Sequence, residues 1–164
     1  MTVTSTRKDV EALTLGFVTE FEAPIERVWD LFQDPRKLER WWGPPGWPAT
    51  FTQYDFVPGG DASYYMTGPD GTRAAGWWQI TAIDAPQRLE FDDGFADEEG
   101  KRVEEMGAAH GVVTLEGIGA VTRMTITTYF ESREQFDKMA EMGMEEGMRE
   151  ALGQIDAILA ETTV

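Results

Sequence analysis

His110 is the only histidine of the chain, and histidine is the usual general base and metal ligand near neutral pH. A lone histidine excludes a histidine pair, a histidine cluster and an HExxH zinc site. His110 stands at the predicted start of a strand, where we interpret it as an exposed neutral side chain. The chain has no cysteine, which excludes thiolate chemistry and disulfides. We therefore predict no catalytic residue, no cofactor and no metal.

An acidic stretch over residues 92–99 invites comparison with a calcium site. Its sequence lacks the one-three-five spacing and the later glutamate of an EF-hand loop. We interpret it as part of a solvated, glycine-punctuated loop over residues 93–107. Phe95 is the exception, because an apolar side chain in a polar loop often folds back over a cavity. The sequence contains no Gly-x-Ser-x-Gly nucleophile elbow and no phosphate-cradling loop.

Three tryptophans flank a rigid Gly-Pro-Pro-Gly turn at residues 43–46. They are Trp41, Trp42 and Trp47. One interpretation is that they pack in the core. The other is that one of them forms the mouth of a cavity and offers its indole N–H to the polar end of a ligand. The sequence leaves both interpretations open, and one tryptophan can pack in the core while another lines the cavity mouth.

A single long helix is predicted over residues 133–160, because apolar residues recur there at helical spacing. At about 100° per residue they share one side of the helix, whereas Glu145, Glu146 and Arg149 fall on the other. A continuous helix of this length would extend roughly 40 Å, enough to cross a small domain. The apolar positions are Phe136, Ala140, Met144, Met148, Ala151, Leu152, Ile155, Ile158 and Leu159.

Two glycines, Gly143 and Gly147, stand one turn apart at the edge of this apolar face. Each costs about 1 kcal/mol of helix propensity relative to alanine. Either they allow the helix to approach the sheet closely, or their missing side chains leave a cavity. Met139 and Met142 point away from the main apolar face, where they would be exposed or would contact a second chain.

Most of the remaining chain alternates apolar and polar residues with the period of β-strands. We interpret residues 1–11 as a flexible leader and residues 12–161 as one domain. A first strand over residues 13–22 precedes two short helices that begin near Pro24 and Asp34. Tight turns join the later strands, so about six to seven strands form a curved antiparallel sheet. The prediction is an α+β fold in which this sheet wraps around the long C-terminal helix.

Composition narrows the class of partner. The length of 164 residues suits one domain. The chain has 14 Lys and Arg against 30 Asp and Glu, a net charge of −16, which argues against nucleic acid and anionic membranes. No apolar run approaches membrane-spanning length, and the N-terminus lacks the apolar core of a secretory signal. We expect a cytoplasmic monomer or homodimer that does not insert into membranes.

Six short motifs occur in a specific order along the chain. They are Phe21-Glu22-Ala23-Pro24 followed by Val28-Trp29, Trp41-Trp42-Gly43-Pro44, Pro58-Gly59-Gly60, Gly68-Pro69-Asp70-Gly71, Pro86-Gln87-Arg88-Leu89 and Gly143-Met144-Glu145-Glu146-Gly147-Met148. In this order they resemble the START-like superfamily, also called SRPBCC or Bet v 1-like. Within it, the chain resembles the bacterial group similar to the activator of the heat-shock protein 90 ATPase. The resemblance covers roughly residues 12–160.

The resemblance implies a helix-grip fold with a hydrophobic cavity between the sheet and the C-terminal helix. We predict that this cavity binds a small hydrophobic molecule. Its candidate lining residues come from the tryptophan-rich turn, the inward faces of the strands and the helix. They are Trp41, Trp42, Trp47, Tyr64, Met66, Trp78, Ile80, Phe91, Phe95, Val113, Leu115, Met124, Ile126, Met144, Gly147 and Met148.

Two other functions stay open at this point. The first is a chaperone-associated interaction module, although the eukaryotic co-chaperone carries a separate N-terminal domain that residues 1–11 are too short to form. The second is an enzyme that uses the same cavity for a cyclisation or a hydrolysis. An enzyme would need ionisable groups that converge in the cavity, and the sequence offers no strong set.

Overall fold

An antiparallel sheet of eight strands is the frame of the fold in the computed structural model, which describes residues 3–161. The strands are β1 Val3–Asp9, β2 Thr14–Phe21, β3 Ala49–Tyr54, β4 Asp61–Thr67, β5 Arg73–Asp84, β6 Arg88–Ala96, β7 Ala109–Ile118 and β8 Val121–Tyr129. Their order across the sheet is β1-β2-β8-β7-β6-β5-β4-β3. The two edges of the sheet are therefore β1 and β3, and every neighbouring pair is antiparallel.

Helices cover one face of this sheet. The helices are α1 Ile25–Gln33, α2 Pro35–Leu38, α3 Arg133–Glu141, α4 Met144–Leu152 and α5 Ile155–Glu161, with a 3-10 turn at Glu104–Met106. The expected α+β helix-grip fold is confirmed, with a curved antiparallel sheet, two short helices after the first predicted strand and a helical C-terminal segment. The sheet has eight strands, where the sequence predicted about six to seven.

The start of α2 shows how local sequence chemistry fixes an element. Asp34 is the N-cap, and its side chain accepts a hydrogen bond of 2.9 Å from the backbone N–H of Arg36. Pro35 takes the first helical position, where a missing N–H costs nothing. The preceding helix α1 buries Val28 and Leu31 against the sheet.

The core lies between the sheet and the helices. In β2 the buried residues alternate with partly buried ones along the strand, as the period-2 pattern predicted. Phe17 faces Ile126 on β8, which in turn faces Val113 on β7. These three side chains are at most 3 % exposed, so they form a continuous apolar row across the centre of the sheet.

The first strand, β1, is a correction to the predicted flexible leader over residues 1–11. Residues 3–9 pair with β2, for example Thr6 with Phe17 and Lys8 with Leu15. Residues 1–2 lie outside the described part of the chain. The sequence did not reveal β1 because its described side chains from Ser5 to Asp9 are mostly exposed. Such an edge strand is held by backbone pairing and needs no apolar alternation.

The C-terminal segment is not the continuous helix that was predicted over residues 133–160. It divides into α3, α4 and α5, and the first break lies at Gly143. Gly143 has a φ of +80°, in the left-handed region that a right-handed helix cannot contain. The second break follows Leu152 and ends before Ile155. Helical periodicity continues across both breaks, so the pattern alone did not reveal them.

Candidate functional site

A pocket of about 290 Å³ lies between the inner face of the sheet and the break that separates α3 from α4. Its lining is mainly apolar and includes five methionines. The lining residues are Trp42, Pro44, Tyr64, Met66, Asp93, Gly94, Phe95, Gly107, Ala109, Phe130, Met139, Met142, Gly143, Met144, Gly147 and Met148. The volume is close to the lower end of the roughly 300–1,000 Å³ typical of small-molecule sites.

The floor of the pocket comes from β4 and β6, and β5 lies between these two strands in the sheet. Tyr64 on β4, Gly76 on β5 and Phe95 on β6 pair across these strands in one row. A Cβ atom at Gly76 would lie 2.4 Å from the Tyr64 hydroxyl oxygen. The glycine therefore leaves the space that the Tyr64 ring occupies, and the ring lies flat over β5 beside Phe95. Met66 continues the floor along β4.

The roof of the pocket comes from the break between α3 and α4. Among the described residues, no heavy atom lies within 4 Å of a Cβ atom built at Gly143 or at Gly147. The glycines therefore do not mark a close approach of helix and sheet, which was one of the two open interpretations. Instead, space remains beside them. Met139 and Met142, which were predicted to point away from the apolar face, also line this space, although the Met142 side chain is largely exposed.

Contacts anchor the roof on both sides of the break. Phe136 on α3 packs edge-on against Phe130 at 5.3 Å between ring centroids. Beyond α4, the Gln154 amide donates to the Gly43 carbonyl oxygen at 2.7 Å. Arg149 on α4 donates to the Thr6 hydroxyl of β1 at 3.0 Å. The helices are thus fixed to the sheet and to the tryptophan-rich turn on either side of the pocket.

The three tryptophans of the turn have different places. Trp41 is fully buried, and its indole N–H donates to the Leu31 carbonyl oxygen at 3.0 Å. Trp42 lines the pocket, and its buried indole N–H lies near the Tyr64 hydroxyl without a close hydrogen bond to any residue of the described chain. Trp47 is partly buried and covers Gly68, where a Cβ atom would lie 2.7 Å from the indole ring. Trp41 therefore belongs to the core and Trp42 to the pocket wall.

Strand β6 corrects the predicted loop over residues 93–107. The strand continues through Ala96, and a tight turn returns to a bridge between Ala96 and Arg102. The acidic stretch is therefore only partly solvated: Asp97 and the residues to Gly100 are exposed, whereas Asp93 is half-buried. Phe95 lines the pocket from within the strand, so it is held by β pairing.

Among the described residues that line the pocket, Asp93 is the one with a carboxyl side chain. It pairs with Trp78 on β5 and with Ala109 on β7, so it occupies an inner-face position between apolar residues. Burial, reinforced by the neighbouring charge of Asp92, raises the pKa of Asp93 to about 7. Its carboxyl group is therefore divided between the neutral and the ionised form near neutral pH. Asp93 was not among the site residues predicted from the sequence.

Tyr64 supplies a second polar group. Burial, followed by the nearby charge of Asp93, raises the pKa of its hydroxyl above the usual value. The hydroxyl therefore stays protonated and can donate or accept a hydrogen bond. Together with the indole N–H of Trp42, the pocket has three polar groups within otherwise apolar walls. Such convergent polar groups are what orient a ligand in an apolar site.

His110 lies outside the pocket and is half-buried, whereas the sequence predicted an exposed side chain. It pairs across the sheet with Asp92, whose carboxylate lies 2.7 Å from Nδ1, and Glu90 lies 3.0 Å from Nε2. Partial burial lowers the pKa of His110, but the hydrogen bonds to these two carboxylates outweigh it and raise the pKa above its usual value. The sequence did not reveal this cluster because it depends on cross-strand register.

The other candidate residues do not line the pocket. Trp78 and Phe91 are buried directly beneath Trp42, at 4.8 Å and 6.3 Å between ring centroids. The remaining five are at most 4 % exposed and fill the core between the sheet and α1, α4 and α5: Ile80, Val113, Leu115, Met124 and Ile126. These side chains face inward as predicted, but close packing against neighbours leaves no space at their positions. The candidates that do line the pocket are Trp42, Tyr64, Met66, Phe95, Met144, Gly147 and Met148.

Within residues 3–161, no group of three or more His, Asp or Glu side chains has an arrangement that could hold a metal ion. None of the helices described here has both the length and the apolarity needed to cross a membrane.

The sheet, the helical segment it holds and the pocket between them define a START-like domain of the helix-grip type. The family model for "Activator of Hsp90 ATPase homolog 1-like protein" matches residues 22–160, and the chain belongs to this family. No curated protein is significantly similar to the chain in sequence.

Solved structures agree with this assignment. A solution structure of a protein from Arthrobacter aurescens is 63% identical with a TM-score of 0.95, over 99% of this chain and 94% of that chain. A crystal structure from Mycobacterium smegmatis is 42% identical with a TM-score of 0.89, over 99% and 98%. An AHSA1 protein from Silicibacter pomeroyi is 26% identical with a TM-score of 0.73, over 90% and 97%. These similarities extend over nearly the whole chain.

Proposed function

We propose that this protein binds a small, predominantly apolar molecule in the pocket between β4, β6 and the α3–α4 break. The observation that carries the proposal is the space beside Gly147, which no described side chain fills and which is lined largely by methionines. Binding of an apolar ligand in such a space is favourable, because the ligand displaces water from apolar surface.

The methionines indicate what sort of selectivity to expect. Met66, Met139, Met144 and Met148 have flexible, polarisable side chains that adapt to ligands of different shape. The volume of about 290 Å³ limits the ligand to a small molecule. We therefore propose a binding protein for compact apolar molecules with limited discrimination among their apolar parts.

A chaperone-associated interaction module is the less favoured alternative. Such a module would present an exposed apolar patch. Within the described chain, the exposed large apolar side chains lie on different elements, for example Val57 after β3, Ile118 at the end of β7 and Met142 after α3. The concave pocket therefore supports small-molecule binding better than the convex surface supports docking of a chaperone.

The test is a titration with N-phenyl-1-naphthylamine, a neutral apolar dye that fluoresces when it leaves water. We expect saturable binding of one dye molecule per chain. Gly147→Leu places a side chain in the open space and should weaken dye binding about tenfold or more. It should not reduce stability, because leucine gains about 0.8 kcal/mol of helix propensity over glycine.

The matched control is Ala157→Leu, which adds the same side chain at an exposed position of α5 outside the pocket. This variant should bind the dye like the unmodified protein. Equal dye affinity in Gly147→Leu and Ala157→Leu would contradict the proposed site, and no saturable binding to any of the three proteins would contradict the proposed function.

A further inference from the structure

Asp93 is a carboxyl group without a basic partner in a pocket that is otherwise apolar. The sixteen lining residues include no lysine, arginine or histidine. Among the interactions of residues 3–161, no hydrogen bond or ion pair involves the Asp93 carboxyl group. The nearby His110 directs both ring nitrogens to Asp92 and Glu90. A half-buried carboxyl that the protein does not pair is costly, which indicates that a ligand supplies the partner.

We propose that the ligand of this pocket is an amphipathic amine, whose protonated nitrogen binds Asp93 and whose apolar body lies beside Gly147 and the methionines. This inference rests on the proposed function and adds the chemical class of the ligand. A charge-assisted hydrogen bond from an ammonium N–H to a carboxylate is stronger than one between neutral groups.

Aromatic rings around Asp93 suit the same head group. Trp42, Tyr64 and Phe95 line the pocket together with Asp93, and the Trp42 and Tyr64 rings meet edge-on at 6.3 Å between centroids. Aromatic faces attract ammonium groups through their quadrupole, and this attraction strengthens where water is excluded. The Tyr64 hydroxyl can accept a further N–H hydrogen bond. A carboxylate beside aromatic rings thus provides both a charge partner and an apolar enclosure for an alkylammonium group.

The overall charge of the protein favours the same class of ligand. The net charge of −16 creates a negative potential that attracts cations to the surface and repels anions. An apolar carboxylate such as a short fatty acid would approach against this potential and would then meet Asp93. An amine with an equally large apolar body is attracted both during its approach to the protein and beside Asp93 in the pocket.

The test uses three probes with the same phenylbutyl body and different head groups. They are 4-phenylbutylamine, 4-phenylbutan-1-ol and 4-phenylbutyrate, and their affinities are measured by calorimetry at about pH 8, where a carboxyl with a pKa of about 7 is ionised. We expect the affinity of the amine to be at least about tenfold higher than that of the alcohol. The butyrate should bind most weakly.

Asp93→Asn removes the charge and keeps a side chain of the same size. In this variant the amine should lose its advantage and bind like the alcohol, whose own affinity should stay the same. Glu98→Gln is the matched control, because it removes one exposed carboxylate from the turn after β6. This control should keep the full preference for the amine.

The affinities of the probes measured over a range of pH provide an independent test. The groups that act on the Asp93 charge are Asp92 beside it, His110 on β7 and Tyr64 on β4, whereas α3 and α4 present methionines and glycines to the pocket. Amine affinity should rise between about pH 6 and pH 8 as Asp93 ionises. Alcohol affinity should not change.

The possible outcomes separate the two proposals. If the alcohol binds but the amine binds no more tightly, the amine proposal is wrong and the proposed function stands. If the butyrate binds best, Asp93 acts as a neutral donor and the amine proposal is equally overturned. If none of the three probes binds, the proposed function itself is wrong.

Discussion

Trp78 and Phe91 stack with 4.0 Å between ring centroids and 17° between ring planes. They come from neighbouring strands, β5 and β6, and lie diagonally on the inner face of the sheet, since Trp78 pairs with Asp93 and Phe91 with Ile80. Trp42 stands edge-on above Trp78. The stacked pair therefore supports the pocket wall from below and links the sheet to the tryptophan-rich turn.

We predict that Phe91→Ala lowers the free energy of unfolding by about 3–5 kcal/mol, because it removes a buried ring and leaves a cavity beneath Trp42. The measurement is urea denaturation followed by circular dichroism. Tyr129→Ala is the control, an aromatic truncation on β8 where the ring is 46 % exposed. A loss of similar size in both variants would contradict the supporting role of the stack.

The two glycines of the pocket roof should respond in opposite ways to alanine. Gly143→Ala forces a side chain into a left-handed conformation at a φ of +80°, which should cost about 1–2 kcal/mol of stability. Gly147→Ala lies within α4 and meets open space, so it should stabilise the protein by up to about 1 kcal/mol. Thermal melts of the two variants measure whether each substitution raises or lowers the stability. Stabilisation by Gly143→Ala would show that α3 and α4 join into one helix.

Asp93 should make stability depend on pH. Because its folded pKa is raised to about 7, the folded protein binds this proton more tightly than the unfolded chain, and stability falls as the pH rises from about 4 to 7. Asp93→Asn should therefore stabilise the protein at about pH 8, on the order of 2 kcal/mol given its partial exposure. The two proteins should converge near pH 4. Urea midpoints at the two pH values test this, and a destabilised variant at pH 8 would refute it.

The cluster of His110 should also produce a pH-dependent effect. The pKa of His110 is higher in the folded protein than in the unfolded chain. The protonated His110 therefore stabilises the fold below the unfolded pKa of about 6.5, and this stabilisation is lost as the pH rises through the folded pKa. His110→Ala should cost a few tenths to 1 kcal/mol at about pH 5.5 and nothing at about pH 9. Because His110 lies outside the pocket, binding of N-phenyl-1-naphthylamine should not change. Reduced dye binding at equal stability would show that His110 contributes to the site.

Local chemistry predicted much of the fold. Asp34 and Pro35 indicated the start of α2, and the Gly68-Pro69-Asp70-Gly71 turn between β4 and β5 forms as its sequence implied, with the Gly71 N–H bonded to the Gly68 carbonyl oxygen at 3.0 Å. Such signals need only neighbouring residues. The alternation along β2 likewise reflects a single buried face.

The features that the sequence did not predict depend on longer-range geometry. The edge strand β1 has no apolar pattern, and the break at Gly143 interrupts a periodicity that continues beyond it. Asp93 shares the inner face with Leu89, Phe91 and Phe95, and this alternation was the available signal. It was hidden because Asp92 and the charged residues after Ala96 made the whole stretch resemble a solvated loop.

The left-handed residue at Gly143 also divides the C-terminal segment into separate cooperative units. A helix propagates through consecutive hydrogen bonds, and this ladder stops between α3 and α4, so opening of one need not melt the other. Amide exchange should therefore be fast at residues 141–147 and slow in β5 and β6. We therefore expect a stable base in the sheet and a helical cover that opens independently of it, so that the space in the pocket can change with the ligand while the aromatic side chains beneath it stay in place.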